Sequence, residues 1–412
     1  VLCPGTCAKA VIAQEVIKTE HVAHCLSRPT LVFRIPACKS ASLSDRYNQV
    51  YAESARDVAL TFMTTETRSN TFSVIPSSSD PQLEALLHGV GIVSLDQTGW
   101  MRVTGSDRVR WLNGMATNSI QGLAVGEGVY NFFLNAQGRI QGDGNVFAGE
   151  DELQIETSRN QVETLIPYLD HYIIMDDVEL ADISETRHGL ALIGPEASSI
   201  LEKAGFPASE LEELQEQTVP WNSRKVTLIR AYGRIVPRFE LWMETAEDAE
   251  SLRNALGTTG AVTCGTAALD GLRLLEGIPL FGTDIRDRDL PQETNQIRAL
   301  HFNKGCYLGQ EIVERIRSRG SVHRVFATFH LEGTLPAPGT AIHSAEKAVG
   351  ELTSVAALPI PADYGPTLNL ALGYVRREAL DRHEPLQYTG GVAHPSTAQT
   401  FKHGDGTSAS SI

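Results

Sequence analysis

Apolar positions along this chain keep two rhythms, and the switches between them mark out its elements. Residues 99–105 and 128–134 carry apolar residues in the dense or alternating pattern of strands. Asn135-Ala136-Gln137-Gly138 supplies a hairpin turn, and residues 139–147 return as a second strand. Residues 153–156 predict a third. In residues 159–172, Val162, Leu165, Ile166 and Leu169 recur at helical spacing, and Ser106-Asp107 before Trp111-Leu112 reads as a cap opening an amphipathic helix. The succession then repeats. Strands are predicted at 178–182, 190–194, 226–230 and 238–243, the last two as a pair, with helices from Pro195, at 246–256 and at 266–276. Strands and helices mixed in this order predict an α+β fold of two interleaved sheet-and-helix halves. From Val322 short strands (325–331, 350–355, 370–375) separated by Gly/Pro-rich turns predict a small β-barrel.

The two ends lack this regularity. Residues 1–82 hold helical stretches at 11–17 and 46–63 among Ser/Thr/Asn-rich segments, ending in the linker signal Pro76-Ser77-Ser78-Ser79-Asp80-Pro81. They predict an irregular extension whose removal leaves the fold intact, with the core domain spanning 83–320 and the barrel 321–385. After Pro385 the chain turns to Gly, Ser, Thr and His, which predicts a disordered tail over 386–412.

Composition narrows the function. With 42% hydrophobic and 21% charged residues the chain suits globular folding, and a formal charge of −15 opposes direct nucleic-acid binding. No apolar run approaches the ~20 residues of a membrane-spanning helix. Of six cysteines, Cys3, Cys7, Cys25 and Cys38 crowd the start, while Cys264 and Cys306 stand alone. Cys3, Cys7, Cys25, His21 and His24 match no standard zinc spacing, so no metal site is predicted. Sparse cysteines in the body point to a reducing compartment.

The candidate chemistry centres on Lys304-Gly305-Cys306-Tyr307-Leu308-Gly309-Gln310-Glu311. Residues 296–302 alternate as a half-buried strand, and Ile312, Val313 and Ile316 then fall at helical spacing, with Gly320 as a stop. Cys306 thus sits on a glycine-flanked turn before a helix N-terminus and two residues from Lys304, a setting that favours the thiolate. A small buried cysteine whose glycines serve only the turn fits the same spacing. Arg315, Arg317, Arg319, His323 and Arg324 follow, either as a solvated face with a Glu311–Arg315 pair or as a local funnel for anions.

Lys304-Gly305-Cys306-Tyr307-x-Gly309-Gln310-Glu311 closely resembles the signature of the YgfZ family of folate-binding proteins. These are relatives of the glycine-cleavage T-protein and are implicated in iron–sulfur cluster assembly and repair. Four further stretches are similar in the family's order: 104–118, the hairpin 134–143, Phe239-Glu240-Leu241, and 269–282. The resemblance covers about residues 83–380. It implies a T-protein-like core that binds tetrahydrofolate or a derivative. Asp143 then lies near the folate, Glu240 holds the pterin ring, and Arg273 meets a folate carboxylate or steadies Glu240. Trp100, Tyr130, Phe133 and Trp242 are candidates for the flat walls such a ring needs. Read without the family, Glu240 is an outward strand residue, Arg273 a surface ion pair and Asp143 a turn aspartate.

Two departures from the T-protein bear on activity. The hairpin ends in Gly142-Asp143 where the T-protein has paired aspartates, and the thiol of Cys306 is absent from that family's late helix. Both features resemble YgfZ. The implied role is support of iron–sulfur clusters in client enzymes, including tRNA-modifying ones, with Cys306 and Asp143 as candidate catalytic groups. The alternative is a tetrahydrofolate-dependent aminomethyltransferase or demethylase. The implied location is cytoplasmic, with the mitochondrial matrix as the alternative because a mitochondrial relative shares the core motif.

Overall fold

A computed structural model describes residues 80–320, 322–359 and 367–396. The helical stretches and the cysteine–histidine set expected before residue 80 lie outside the described residues. Helix α1 (Pro81–His88), opened by Asp80 accepting from the Gln82 N–H at 2.9 Å, leads into β1 (Gly91–Ser94). The chain then builds β2 (Thr98–Thr104), α2 (Arg108–Met115), β3 (Gly128–Leu134), β4 (Ile140–Ala148), β5 (Leu153–Ser158), α3 (Arg159–Asp170) and β6 (Glu179–Asp182). Next come β7 (His188–Ile193), α4 (Ala197–Lys203), β8 (Glu216–Trp221), β9 (Arg224–Ala231), β10 (Arg238–Met243), α5 (Ala246–Gly257), β11 (Val262–Thr263) and α6 (Thr266–Glu276).

Strand β1 pairs with β7 and β11 in a six-stranded sheet ordered β11-β1-β7-β10-β9-β8, while β2 to β6 form a separate five-stranded sheet ordered β3-β4-β5-β2-β6. The first sheet is therefore begun, left and resumed, which is the interleaving expected from the sequence. The sheets meet through buried aromatics. Trp242 of β10 makes edge contacts with Trp100 of β2 (centroids 5.7 Å apart) and with Phe147 of β4 (5.4 Å).

Helix α7 (Gln310–Arg319) precedes a closed barrel of β12 (Arg324–Gly333), β13 (Ala341–Ser344), β14 (Lys347–Leu358), β15 (Leu368–Arg376), β16 (Gln387–Tyr388) and β17 (Gly391–Ser396), with α8 (Arg377–Asp381) after β15. The barrel thus runs past residue 385, where a disordered tail was expected. Its last hairpin was hidden because it buries little: in β16 and β17 only Tyr388 and Ala393 are buried, and the rest reads as polar tail.

Residues 296–302 also depart from expectation. They form a 3₁₀ turn at Ile297–Ala299 and not a strand. Thr117 Oγ1 donates to the Ala299 carbonyl at 2.6 Å and Asn118 Nδ2 to the Arg298 carbonyl at 3.0 Å. Side chains thereby take acceptors that a ladder needs.

Buried charge ties the barrel to the sheets. Asp284, 0% exposed, accepts from Arg273 Nη1 (2.7 Å), the Leu280 N–H (2.9 Å) and Ser354 Oγ of β14 (2.7 Å), and also from Thr353 Oγ1. Arg324 at the start of β12 clasps Asp289 at 2.6 Å and Glu293 at 3.0 Å. Two glycines lock α7 to the β3–β4 hairpin. A Cβ on Gly309 (φ 82°) lies 2.6 Å from the Asn135 carbonyl oxygen and 3.1 Å from Gly138 Cα, and one on Gly138 (φ 70°) lies 2.7 Å from Ile312 Cβ.

Candidate functional site

The register of the second sheet lines up Tyr130, Asn145, Glu156 and Trp100 as neighbours across β3, β4, β5 and β2. Asp143, two residues from Asn145, shares its face of β4. Its Oδ2 accepts from Tyr130 OH at 2.6 Å and its Oδ1 from Gln161 Nε2 at 2.8 Å, while its own N–H donates to Gln161 Oε1 at 2.9 Å. Burial raises the Asp143 pKa, against the pull of these two donors and of the Arg298 charge.

From the opposing sheet comes Arg238-Phe239-Glu240-Leu241-Trp242, whose alternate members Arg238, Glu240 and Trp242 share one side of β10. Glu240 Oε1 accepts from Arg238 Nε (3.1 Å) and Nη2 (2.7 Å), and Oε2 from Trp242 Nε1 (3.0 Å). Glu156 Oε2 accepts from Asn145 Nδ2 at 2.9 Å. Burial first, then the charge of Glu240 and a hydrogen bond with it, hold the Glu156 pKa well above the carboxylate range. These causes favour the protonated form of Glu156.

A stability test follows. Because the folded-state value is raised, this carboxyl contributes its full stability below the unfolded value of about 4.3 and loses it as pH rises through the folded value. Glu156→Gln keeps the donor but cannot ionise. Urea unfolding across a pH series is expected to show a smaller alkaline loss of stability for the variant than for the parent; equal slopes refute the raised Glu156 carboxyl.

Two atoms in this space lack partners among the described residues. Asn145 Oδ1 and Trp100 Nε1 are buried with no hydrogen bond, an arrangement that buried polar groups avoid unless a ligand or water completes it. Beside them the Arg298 guanidinium lies 3.9 Å from the Tyr130 ring and 3.8 Å from the Tyr232 ring.

Of the expected site residues, Asp143, Tyr130 and Glu240 stand in or beside this inter-sheet space, with Trp100 and Trp242 in the same apolar cluster. Phe133 does not: it points to the other face, against α2 and α3, and strand alternation puts Phe132 in its place. Arg273 is corrected as well. It bonds Asp270 (2.7 Å), Asp284 (2.7 Å), the Ile278 carbonyl (2.9 Å) and Ser354 (3.1 Å), so it staples the barrel, and Arg238 is the arginine that steadies Glu240. Arg298, Asn145, Glu156 and Gln161 went unnoticed in the sequence. The alternation around Asp143 and Glu240 could have flagged Asn145 and Arg238; nothing local flags Arg298.

Cys306 is an exposed free thiol on the loop before α7. Lys304 is not its partner. All three N–H donors of the ammonium go to backbone carbonyls at the end of α2: Asn113 at 2.7 Å, Ala116 at 2.8 Å, and Asn118. Burial brings the Lys304 pKa down to about 7, against those three acceptors, which favour the charged form. Tyr307 is buried, and the Leu308 N–H donates to the Gly114 carbonyl at 2.9 Å, so the loop is strapped to α2 around an outward thiol. The basic run loses Arg324 to Asp289 and Glu293, and Arg317 lies over Phe302 at 4.5 Å. Among the described residues no three His, Cys, Asp or Glu side chains gather as a metal site, and no helix is long and apolar enough to cross a membrane.

Alkylation followed by peptide mapping is expected to modify Cys306 in the native protein. Cys264, buried with its thiol pushed up to about 11 by burial, should react only after denaturation. Native protection of Cys306 contradicts the exposed loop.

Comparison with known families gives two adjoining matches, the GCVT N-terminal domain over residues 58–304 and the CAF17 C-terminal beta-barrel domain over 323–400. The first spans more than half of the chain. The chain belongs to the GCVT family. Its barrel puts it with the YgfZ/CAF17 members. An aminomethyltransferase of Thermus thermophilus is 29% identical over 72% of this GCVT chain and 82% of its own length. The tRNA-modifying protein YgfZ of Yersinia enterocolitica is 26% identical over 63% and 76% respectively. The crystal structure of aminomethyltransferase T from Bartonella henselae superposes with a TM-score of 0.68, at 20% identity, over 80% of this chain and 92% of that one, which shows the shared fold. Cys306 and α7 fall between the two GCVT and barrel matches, at the seam of the molecule.

Proposed function

We propose that the protein binds a tetrahydrofolate-type cofactor between its two sheets and, through Cys306, supports assembly or repair of iron–sulfur clusters in client enzymes, tRNA-modifying ones among them. The observation that carries the folate part is the pair of unpartnered buried atoms, Asn145 Oδ1 and Trp100 Nε1, beside Asp143 and Glu240. A pterin edge presents adjacent N–H donors and ring acceptors, which suit a carboxylate, an amide oxygen and an indole N–H together. Asn145, Trp100 and Glu240 are the residues that hold it, and Tyr130 and Trp242 flank it. When bound, the cofactor carries one-carbon units. Asp143 accepts from Tyr130 and Gln161 and acts here as an orienting group.

Support for the cluster role comes from the outward thiol and the similarity to a tRNA-modifying protein. A single cysteine completes no cluster, so the remaining ligands come from the client. The test is complementation. In cells lacking the protein, Cys306→Ala is expected to fail to restore client cluster content while the purified variant keeps the parental affinity for tetrahydrofolate. Full restoration by the variant refutes the thiol's role.

A further inference from the structure

Arg298 stands between two aromatic rings with most of its hydrogen-bonding capacity unspent. Its guanidinium carbon is 3.9 Å from the Tyr130 centroid and 3.8 Å from that of Tyr232, one planar layer from each. Among the described residues its side chain donates one hydrogen bond, from Nε to Gln296 Oε1 at 3.2 Å. Asp143 acts on it only at longer range, because Tyr130 and Gln161 occupy the aspartate's oxygens. No ion pair is formed by Arg298 among the described residues.

The placement is rigid. Asn118 Nδ2 bridges the carbonyls of Tyr130 (3.2 Å) and Arg298 (3.0 Å), and Thr117 Oγ1 holds the next carbonyl, that of Ala299, at 2.6 Å. The 3₁₀ turn is therefore pinned to β3, with the side chain half-buried beside Tyr130. With ring centroids 3.9 and 3.8 Å from its carbon and Nε already given to Gln296, the guanidinium has its Nη edge left for bonding. That edge matches a carboxylate with two parallel hydrogen bonds, and partial burial strengthens the match.

We propose that Arg298, clamped between Tyr130 and Tyr232, receives a carboxylate of the ligand at the rim of the site, so that the protein selects reduced folates with their acidic tail over tail-less pterins. This rests on the folate reading and adds a selectivity that the pterin contacts alone do not supply. Lys is a poor substitute, since an ammonium neither stacks flat nor forms the paired bonds.

Calorimetric titration separates the possibilities. Three probes are used: tetrahydrofolate, tetrahydrobiopterin, and tetrahydrofolate with both glutamate carboxyls amidated. The unaltered protein is expected to bind the last two roughly tenfold to a hundredfold more weakly than the first. Arg298→Gln should lower tetrahydrofolate affinity by a similar factor and leave tetrahydrobiopterin unchanged, with Arg298→Lys recovering only part of the loss. Equal loss for both probes, or no loss for either, overturns the role of Arg298 while leaving folate binding intact. Should the Gln variant not fold, the diamide comparison on the unaltered protein decides: equal affinity for acid and diamide overturns the proposal. Failure of the unaltered protein to bind tetrahydrofolate at all overturns both this proposal and the folate reading.

Discussion

Asp284→Ala is expected to lower the unfolding free energy by about 3 kcal/mol, the low end of the range for breaking a buried ion pair. Asp284 is 0% exposed and collects four donors, from α6, the turn after it and β14. Removing the carboxylate leaves the Ser354 hydroxyl and the Leu280 N–H without their acceptor and deprives Arg273 of its buried partner, while Thr353 Oγ1 keeps the Leu372 carbonyl at 3.2 Å. Arg273 keeps Asp270 at 2.7 Å, so its charge is not wholly stranded, which is why the low end applies. For a domain of this size that corresponds to a fall in Tm of roughly 6 °C or more. Glu378→Ala is the contrast. Its pair with Arg382, at 2.6 Å, joins side chains that are both more than half exposed, where such pairs contribute under about 0.5 kcal/mol. Scanning calorimetry of the two variants decides the matter, and comparable shifts sink the claim that the barrel is fastened from inside.

The second large effect concerns Glu240. Glu240→Gln preserves size and an acceptor for Trp242 Nε1 but removes the charge that Arg238 neutralises and that pterin N–H donors meet. Tetrahydrofolate affinity is expected to fall by roughly tenfold to a hundredfold, equivalent to about 1–3 kcal/mol. Glu240→Ala should lose at least as much and also destabilise the fold, since Arg238 and the Trp242 indole are left without their acceptor. Isothermal titration at a temperature where all forms are folded is the measurement. If Cys306→Ala weakens binding as much as Glu240→Gln, the thiol belongs to the pocket, and separate roles for the two sites are wrong.

What could be read from the sequence depended on how local the cause was. The β3–β4 hairpin, helices α3, α5 and α6, and the main barrel strands announce themselves because each buries one face, and its apolar residues repeat at the matching period. The final barrel hairpin buries only Tyr388 and Ala393, so it carried no such signal. Residues 296–302 had a strand's alternation, yet Thr117 and Asn118, some 180 residues earlier, capture their carbonyls. The site divides in the same way. Glu240 and Asp143 came from resemblance and sit beside the inter-sheet space. Arg273 was misplaced because its strongest partner, Asp284, lies buried on the barrel side. Arg298 was invisible, since only the tertiary turn aims it between two tyrosines.

The strapping of the Cys306 loop bears on how such chains are to be recognised. Lys304 closes the end of α2, Tyr307 fills the core, and Gly309 meets Gly138 back to back, whereas the Cys306 thiol is exposed. Those three residues are accounted for by folding alone. The stretch as a whole is therefore a marker of this loop's packing, whatever the thiol at 306 does.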